Sequence, residues 1–178
     1  PVDYIITQKL LPYSILTVSN NTGFKLYSLN SREKHTISIP YTLIVGLNNE
    51  DKLENFYYSE DSTIRWTKNY SKVLIEYPKN LGDMNLSIKI EGARPLDNPA
   101  LVTFLINNHF VGNITYSGKQ KIITYTILDT YLNDDYNILE IDSNTWNPRD
   151  YGSIDNRDRG IEVDWISVQP SNCENPAL

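Results

Sequence analysis

A single cysteine, Cys173, excludes an intrachain disulfide, and it sits in a polar stretch, Ser171-Asn172-Cys173-Glu174. The two histidines, His35 and His109, stand far apart with no Cys or His at ligand spacing, so no zinc site is expected. His35 reads as a solvated strand-edge residue and His109 as a loop residue. No apolar run approaches the about 18 residues of a membrane-spanning helix. Basic residues are the minority: 16 Lys and Arg against 22 Asp and Glu give a net charge of −6. Phosphate binding needs a basic surface, so a nucleic-acid partner is excluded. Glycine-rich phosphate loops and local signatures of Ser-His-Asp or Cys-His nucleophiles are also missing, so no reaction can be read from the chain. Neither a signal peptide nor a translation start is present, because the chain opens on Pro1. The expectation is that a signal peptide or membrane spans once preceded it.

What is present favours strands. The 178 residues suffice for one sizeable core, and 13 Tyr and 3 Trp join frequent Ile, Val and Thr. Two short apolar runs between residues 2 and 18 are broken by Pro12, which suits strands better than a helix. Period-2 alternation marks Phe24–Leu29, His35–Ile39, Asn85–Glu91, Lys121–Leu128, Ile138–Ile141 and Ile161–Val168, while Tyr41–Val45 is a fuller apolar run, Leu101–Ile106 reads as a buried strand, and Ile64–Thr67, Ser71–Tyr77 and Phe110–Tyr116 read as further strands. Asn107-Asn108-His109 reads as the tip of a hairpin. Residues 48–60 read as acidic and irregular, Lys68–Tyr70 as a short turn, and Asp129–Tyr136 as the only helical turn. About ten short strands with no core-forming helix predict an all-β, antiparallel β-sandwich. The divisions expected are N-terminal strands or a juxtamembrane or donor segment at 1–35, the sandwich at 36–170, and a polar tail at 171–178.

The densest polar and aromatic stretch lies between the last two strands: Trp146-Asn147-Pro148-Arg149-Asp150-Tyr151-Gly152, then Asp155-Asn156-Arg157-Asp158-Arg159-Gly160. A strand, a long charged loop and a strand is how a sandwich displays a site at its rim. An indole or phenol face can stack on the apolar face of a pyranose while Asp and Arg bond its hydroxyls. Trp146, Arg149, Tyr151 and Asp155 are therefore the candidate ligand-binding residues. The plainer alternative is that Asp155 and Arg157 pair beneath the loop and pin it, with Gly152 and Gly160 supplying unusual backbone angles. Glu60, Arg65, Trp66, Arg94 and Arg157 read as structural: Arg65 as partner of Glu60, Trp66 as core, Arg94 as partner of a loop carboxylate. Asp side chains at the rim could also hold a structural Ca²⁺, although their spacing fits no EF-hand loop. No other metal and no cofactor is expected. Four Asn-X-Ser/Thr sequons, at Asn20, Asn69, Asn85 and Asn113, lean towards an extracytoplasmic glycoprotein.

Several fragments in order carry a family likeness. Asn55-Phe56-Tyr57-Tyr58-Ser59-Glu60 and Ile64-Arg65-Trp66-Thr67 resemble a "GFY..E…FRWT" pattern. Gly92-Ala93-Arg94-Pro95, a "V.F.IN…VG" hairpin over Val102–Gly112, and "L.I.S.TW.P…G..D.R..GI.VDWI.V" over Leu139–Val168 follow. This series, covering about residues 36 to 169, resembles the carbohydrate-binding-module-like domains that follow the membrane spans of prokaryotic, glycosyltransferase-like polytopic proteins. Two positions depart from the pattern: Asn55 stands where Gly is usual, and Arg159 where Leu is usual. The resemblance implies a jelly roll of the galactose-binding-like kind, exported to the cell surface, non-catalytic, with a glycan or lipid-linked sugar as ligand. It also implies a membrane-embedded remainder of the same chain as partner. Two other functions stay open from the residues: a secreted subunit of a surface layer or filament, self-associating by donation of residues 4–18, and a small glycan hydrolase.

Overall fold

The computed structural model describes the strand backbones at 4–7, 14–18 and 25–28, and residues 40–47, 49–58, 63–76, 81–92, 94–134 and 136–171. His35–Ile39, Glu60, Asn20 and Cys173 lie outside the described residues. β1 (Tyr4–Thr7), β2 (Ser14–Val18) and β3 (Lys25–Ser28) form their own antiparallel sheet in the order β1-β3-β2. The segment considered above for donation to another copy is thus paired with β3 of its own chain.

The remaining strands are β4 (Tyr41–Ile44), β5 (Leu53–Phe56), β6 (Arg65–Ile75), β7 (Met84–Glu91), β8 (Ala100–Ile106), β9 (His109–Tyr116), β10 (Lys121–Ile127), β11 (Asn137–Ser143) and β12 (Glu162–Pro170). Every pairing is antiparallel. One layer runs β4-β12-β7-β10 and the other β5-β6-β11-β8-β9. They are joined where the start of β12 pairs with the start of β6, Glu162 opposite Trp66 and Val163 opposite Arg65. The chain is an antiparallel β-sandwich of jelly-roll type. No helix among the described residues is long and apolar enough to cross a membrane.

Alternation explains which side chains form the core. In β7, Met84, Leu86, Ile88 and Ile90 are fully buried while the residues between them are partly exposed. Each such side chain contributes on the order of 2 kcal/mol of apolar transfer. Val73, Ile75, Val102, Phe104, Ile106, Leu139 and Ile141 face them from the other layer. In β12 the phase changes: Val163 is buried, then Ile166 and Val168. A bulge between Val163 and Trp165 inserts the extra residue, and it turns Trp165 away from the core.

The hairpin joining β8 to β9 turns through Asn107 (φ 51°) and Asn108 (φ 67°), the left-handed pair that a type I′ turn requires. Asn107 Nδ2 donates to Tyr131 O and Asn137 Oδ1, both at 2.8 Å, while its Oδ1 accepts from Ile138 N at 2.9 Å. His109 opens β9 instead of lying in a loop, and it stacks on Tyr131 with ring centroids 4.5 Å apart.

Other expectations are corrected. Lys68–Tyr70 is no turn: β6 runs as one strand of 11 residues from its pairing with β12 to its pairing with β11, and Lys68 and Asn69 stand where its register against β5 shifts. Asn69 has the parity of the buried positions yet is exposed at that crossing. Within 48–60 lie a 3-10 turn at Glu50–Lys52 and strand β5. The alternation of β5 is broken at Asn55, whose φ is 60° and where the register against β6 shifts, the extra residues lying on β6. A left-handed angle there explains why glycine suits the position and why asparagine tolerates it. Asp129–Tyr131 is a 3-10 turn, but Glu50–Lys52 and Pro148–Tyr151 are others.

Candidate functional site at the sandwich rim

The starts of β6, β8 and β12 and the end of β11 meet at one end of the sandwich, since Ser143 pairs with Val102 and Glu162 with Trp66. The loop 144–161 rises from this end and is closed at its neck. Trp146 N donates to Arg159 O and Arg159 N to Trp146 O, both at 2.9 Å. Directly opposed residues of an antiparallel pair project to the same side, so the indole and the guanidinium share a face. Trp66 completes the group: its ring lies 6.1 Å from Trp146, edge to face, with Arg159 Cζ 4.9 Å from its centroid. Trp66 is therefore part of the rim cluster as well as a support for it.

Above the neck, Asn147 accepts from Arg149 N at 3.0 Å and caps the 3-10 turn Pro148–Tyr151, which ends at Gly152 with φ 88°. The turn sets the Tyr151 ring 5.7 Å from Trp146, edge to face, with the phenol donating to Asp97 Oδ1 at 3.3 Å. Tyr151 is 47% exposed, whereas Trp146 is partly buried between Tyr151 and Trp66. Arg149 and Asp150 are exposed beside it. Of the four candidate ligand residues, Trp146, Arg149 and Tyr151 lie within this one turn and its neck.

Asp155 has another arrangement. Its carboxylate accepts from Arg157 Nε at 3.0 Å, from Arg157 Nη2 at 2.6 Å, and from Arg159 Nη2, and also from the backbone N of Arg157 at 2.9 Å. These partners, the Arg157 side chain foremost, hold the Asp155 carboxyl well below the usual carboxylate range, against the opposing effect of burial. Arg157 also lies 5.3 Å from the Tyr57 ring, with Lys68 at the same distance. Burial, followed by the nearby Asp158, raises the Tyr57 pKa. Tyr57, Asp97 and Asn147 were not singled out from the sequence. Tyr57 adjoins Trp66 only through strand pairing, with Tyr57 N donating to Trp66 O at 2.9 Å.

Because the folded-state pKa of Asp155 is depressed, its pairing is fully present above the unfolded value of about 4 and is lost as pH falls through the lower folded value. Asp155→Asn removes the charge that both guanidinium groups share. Trypsin should then cut after Arg149, Arg157 or Arg159 about tenfold faster near neutral pH, which corresponds to about 1.4 kcal/mol of local stability. An unchanged digestion rate would mean that this carboxylate does not pin the loop.

Arg65 has a carboxylate partner that was not expected, Glu60 lies outside the described residues, and Arg94 meets backbone carbonyls where a loop carboxylate was expected. Arg65, 5% exposed, pairs with Glu50 at 2.5 Å and lies 5.6 Å from the Tyr58 ring. β4 and the start of β6 occupy the same edge of β12 in succession, which brings the turn after β4 to Arg65. Arg94, 3% exposed, meets no carboxylate among the described residues. Its Nε donates to Asn98 O at 2.9 Å and its Nη2 to Asn98 Oδ1 at 3.1 Å, while Nη1 donates to Asn144 O at 2.8 Å and Gly160 O at 3.2 Å. Burial lowers its pKa from the usual value. Arg94 thus bolts its own loop to both arms of the loop neck. Gly160 is not in a left-handed conformation; its requirement is space, since a Cβ there would lie 2.3 Å from Thr67 Oγ1, 2.5 Å from Ser143 Oγ and 2.7 Å from Lys68 O.

Among the described residues no group of three His, Cys, Asp or Glu side chains converges to hold a metal ion. Of the sequon asparagines, Asn69 and Asn113 are exposed and Asn85 is partly buried on β7.

No protein-family model matches the chain, and no curated protein matches its sequence. Among solved structures it is similar to a family 35 carbohydrate binding module from Clostridium thermocellum, at 14% identity over 72% of this chain and 97% of that one, with a TM-score of 0.47. It is also similar to CBM35 from Paenibacillus barcinonensis, at 13% identity over 75% of this chain and 100% of that one, with a TM-score of 0.45. A third is a Podospora anserina GH26-CBM35 β-(1,4)-mannanase, at 15% identity over 77% of this chain but 29% of that one, with a TM-score of 0.49. No binding-site residue is carried from these proteins to this chain.

Proposed function

We propose that the sandwich is a non-catalytic, exported glycan-binding domain that takes a sugar on the Tyr151 ring, as an accessory part of a membrane glycosyltransferase-like protein. The observation that carries the sugar reading is the half-exposed Tyr151, held edge-on to Trp146, with Asp97 on its hydroxyl and Arg149 on the same turn. An aromatic face flanked by a carboxylate and a guanidinium offers stacking for C–H groups and both acceptor and donor for hydroxyls. Trp146 Nε1 and Arg159 Nε support the reading, because both are buried without a hydrogen-bond partner among the described residues. Such donors are costly in a core, and an ordered water, an ion or a ligand is what satisfies them. Trp146 acts as the wall behind Tyr151, and Asp155 acts through the two arginines it positions. The exposed sequons at Asn69 and Asn113 suit an extracytoplasmic chain.

A glycan array followed by calorimetry on the best hit tests the site. Tyr151→Ala should weaken binding at least about tenfold, the scale of losing one aromatic stacking contact, while the unfolding midpoint stays near that of the parent. Equal affinity in Tyr151→Ala would remove the sugar from this ring. The membrane context is tested separately by immunoblot of fractionated source cells. A band much larger than this chain in the membrane fraction is expected, and a band of its own size in the surface fraction would overturn that part.

A further inference from the structure

We infer that the fold selects Asn113 among the sequons for an N-linked glycan, and that this glycan covers the exposed side chains of Leu101 and Phe110. The inference rests on the exported location proposed above, since sequons are modified in chains that leave the cytoplasm. The donor is a lipid-diphosphate-linked sugar. In the transfer Asn113 Nδ2 bonds to the anomeric carbon, and the bond from that carbon to the diphosphate oxygen breaks. The amide gives up one proton as the lipid diphosphate leaves.

The transferring enzyme reads the hydroxyl two residues after the asparagine, so both groups must be within its reach. Among the described residues only Asn113-Ile114-Thr115 presents both, with Asn113 and Thr115 exposed on the same side of β9. In Asn69-Tyr70-Ser71 the hydroxyl belongs to Ser71, which is fully buried and donates to Asn55 O at 2.7 Å. In Asn85-Leu86-Ser87 both groups are partly buried in mid-sheet, and Ser87 Oγ lies 2.9 Å from Thr124 Oγ1.

The surroundings of Asn113 are those a sugar would cover. Asn113 stands opposite Thr103, Thr115 opposite Leu101 and Phe110 opposite Leu105, and opposed residues project to one side. That side faces solvent, because Val102, Phe104 and Ile106 between them on β8 are buried. On it Leu101 is 59% exposed and Phe110 58%, and Asn113 stands between them. Leu101 is a diagonal neighbour of Asn113, about 7–8 Å away. Phe110 lies one step of the outer face in the other direction, since Leu105 and Thr103 are two residues apart, about 7 Å. Both are within reach of the first sugars of a glycan, whose C–H faces pack on an aliphatic chain and stack on an aromatic ring.

Glycopeptide mass spectrometry of the protein purified from its source cells tests the site. Trypsin separates the three sequons into peptides 69–72, 80–89 and 90–119, because Pro95 protects the bond after Arg94. Peptide 90–119 should carry sugar on Asn113, and the other two should be bare. Thr115→Ala should lose the sugar, while Thr115→Ser, which keeps the hydroxyl, should retain it. Hydroxyl-radical footprinting reads the covering: Leu101 and Phe110 should be protected in the parent and in Thr115→Ser, and should lose that protection in Thr115→Ala. A bare peptide 90–119 from protein found outside the cytoplasm would overturn this proposal alone, whereas a bare peptide from cytoplasmic protein would overturn it together with export. Equal occupancy at Asn69 or Asn85 would refute selection by the fold. Equal oxidation of Leu101 and Phe110 with and without the sugar would refute the covering.

Discussion

Replacing Arg94 with methionine is expected to lower the unfolding free energy by about 3 kcal/mol or more. The guanidinium is 3% exposed and serves the carbonyls of Asn98, Asn144 and Gly160 and the side-chain oxygen of Asn98. Methionine would fill much of the volume and leave these acceptors without their donor, each lost partner costing about 1–3 kcal/mol if the group stays buried. No buried carboxylate would be stranded among the described residues, so the loss measures the hydrogen bonds and not an orphaned counter-ion. Lysine should recover only part of the loss, since a single ammonium cannot reach acceptors spread around a planar fork. Urea unfolding of the parent and both variants would show it. A midpoint for Arg94→Met within experimental error of the parent would mean that solvent replaces the guanidinium and that the loops do not depend on it.

Gly160→Ala should be comparably damaging for a different reason. The added methyl would meet Thr67 Oγ1, Ser143 Oγ and Lys68 O at 2.3–2.7 Å, well inside contact distance. Serine and threonine hydroxyls can rotate, but the carbonyl of Lys68 belongs to β6 and can move only with the strand. Overpacking of this kind costs about 1–3 kcal/mol, and more where backbone must shift. The displacement would also part Gly160 N from Thr67 O, now 2.8 Å away, and open the neck of the loop. The expected result is a lower unfolding midpoint together with faster tryptic cleavage at Arg149, Arg157 or Arg159. Full parental stability would show that β6 and the loop separate at little cost.

Much of the architecture was legible because burial on one face of a strand leaves a period of two. β7 is the plain case, and the Asn107-Asn108 turn declared itself through residues that tolerate left-handed angles. What could not be read depended on partners distant in sequence. β6 changes neighbours in mid-strand, so the polar Lys68-Asn69 stretch imitated a turn. The register shift against β6 at Asn55 erased the alternation of β5. At the rim, the pairing of Asp155 with Arg157 was foreseen from proximity alone. Arg65 with Glu50 and Arg94 with three carbonyls were not, since each depends on which strands lie side by side. Nothing local distinguishes an arginine that will meet a carboxylate from one that will meet backbone.

The placement of β12 bears on how the domain comes into being during synthesis. It is the last strand made of those described, yet it lies inside its layer, between β7 on one edge and β4 with the tip of β6 on the other. Until residues 162–170 have been made, β4 and β7 have no common neighbour, and the places of Val163, Ile166 and Val168 beside Leu86, Ile88 and Ile90 in the core stay empty. Pairs as distant as Tyr41 with Val168 must form in one late step, which makes folding slow. A nascent chain halted before Glu162 would present two unpaired strand edges on either side of an apolar trough, the state most open to capture by a foreign strand.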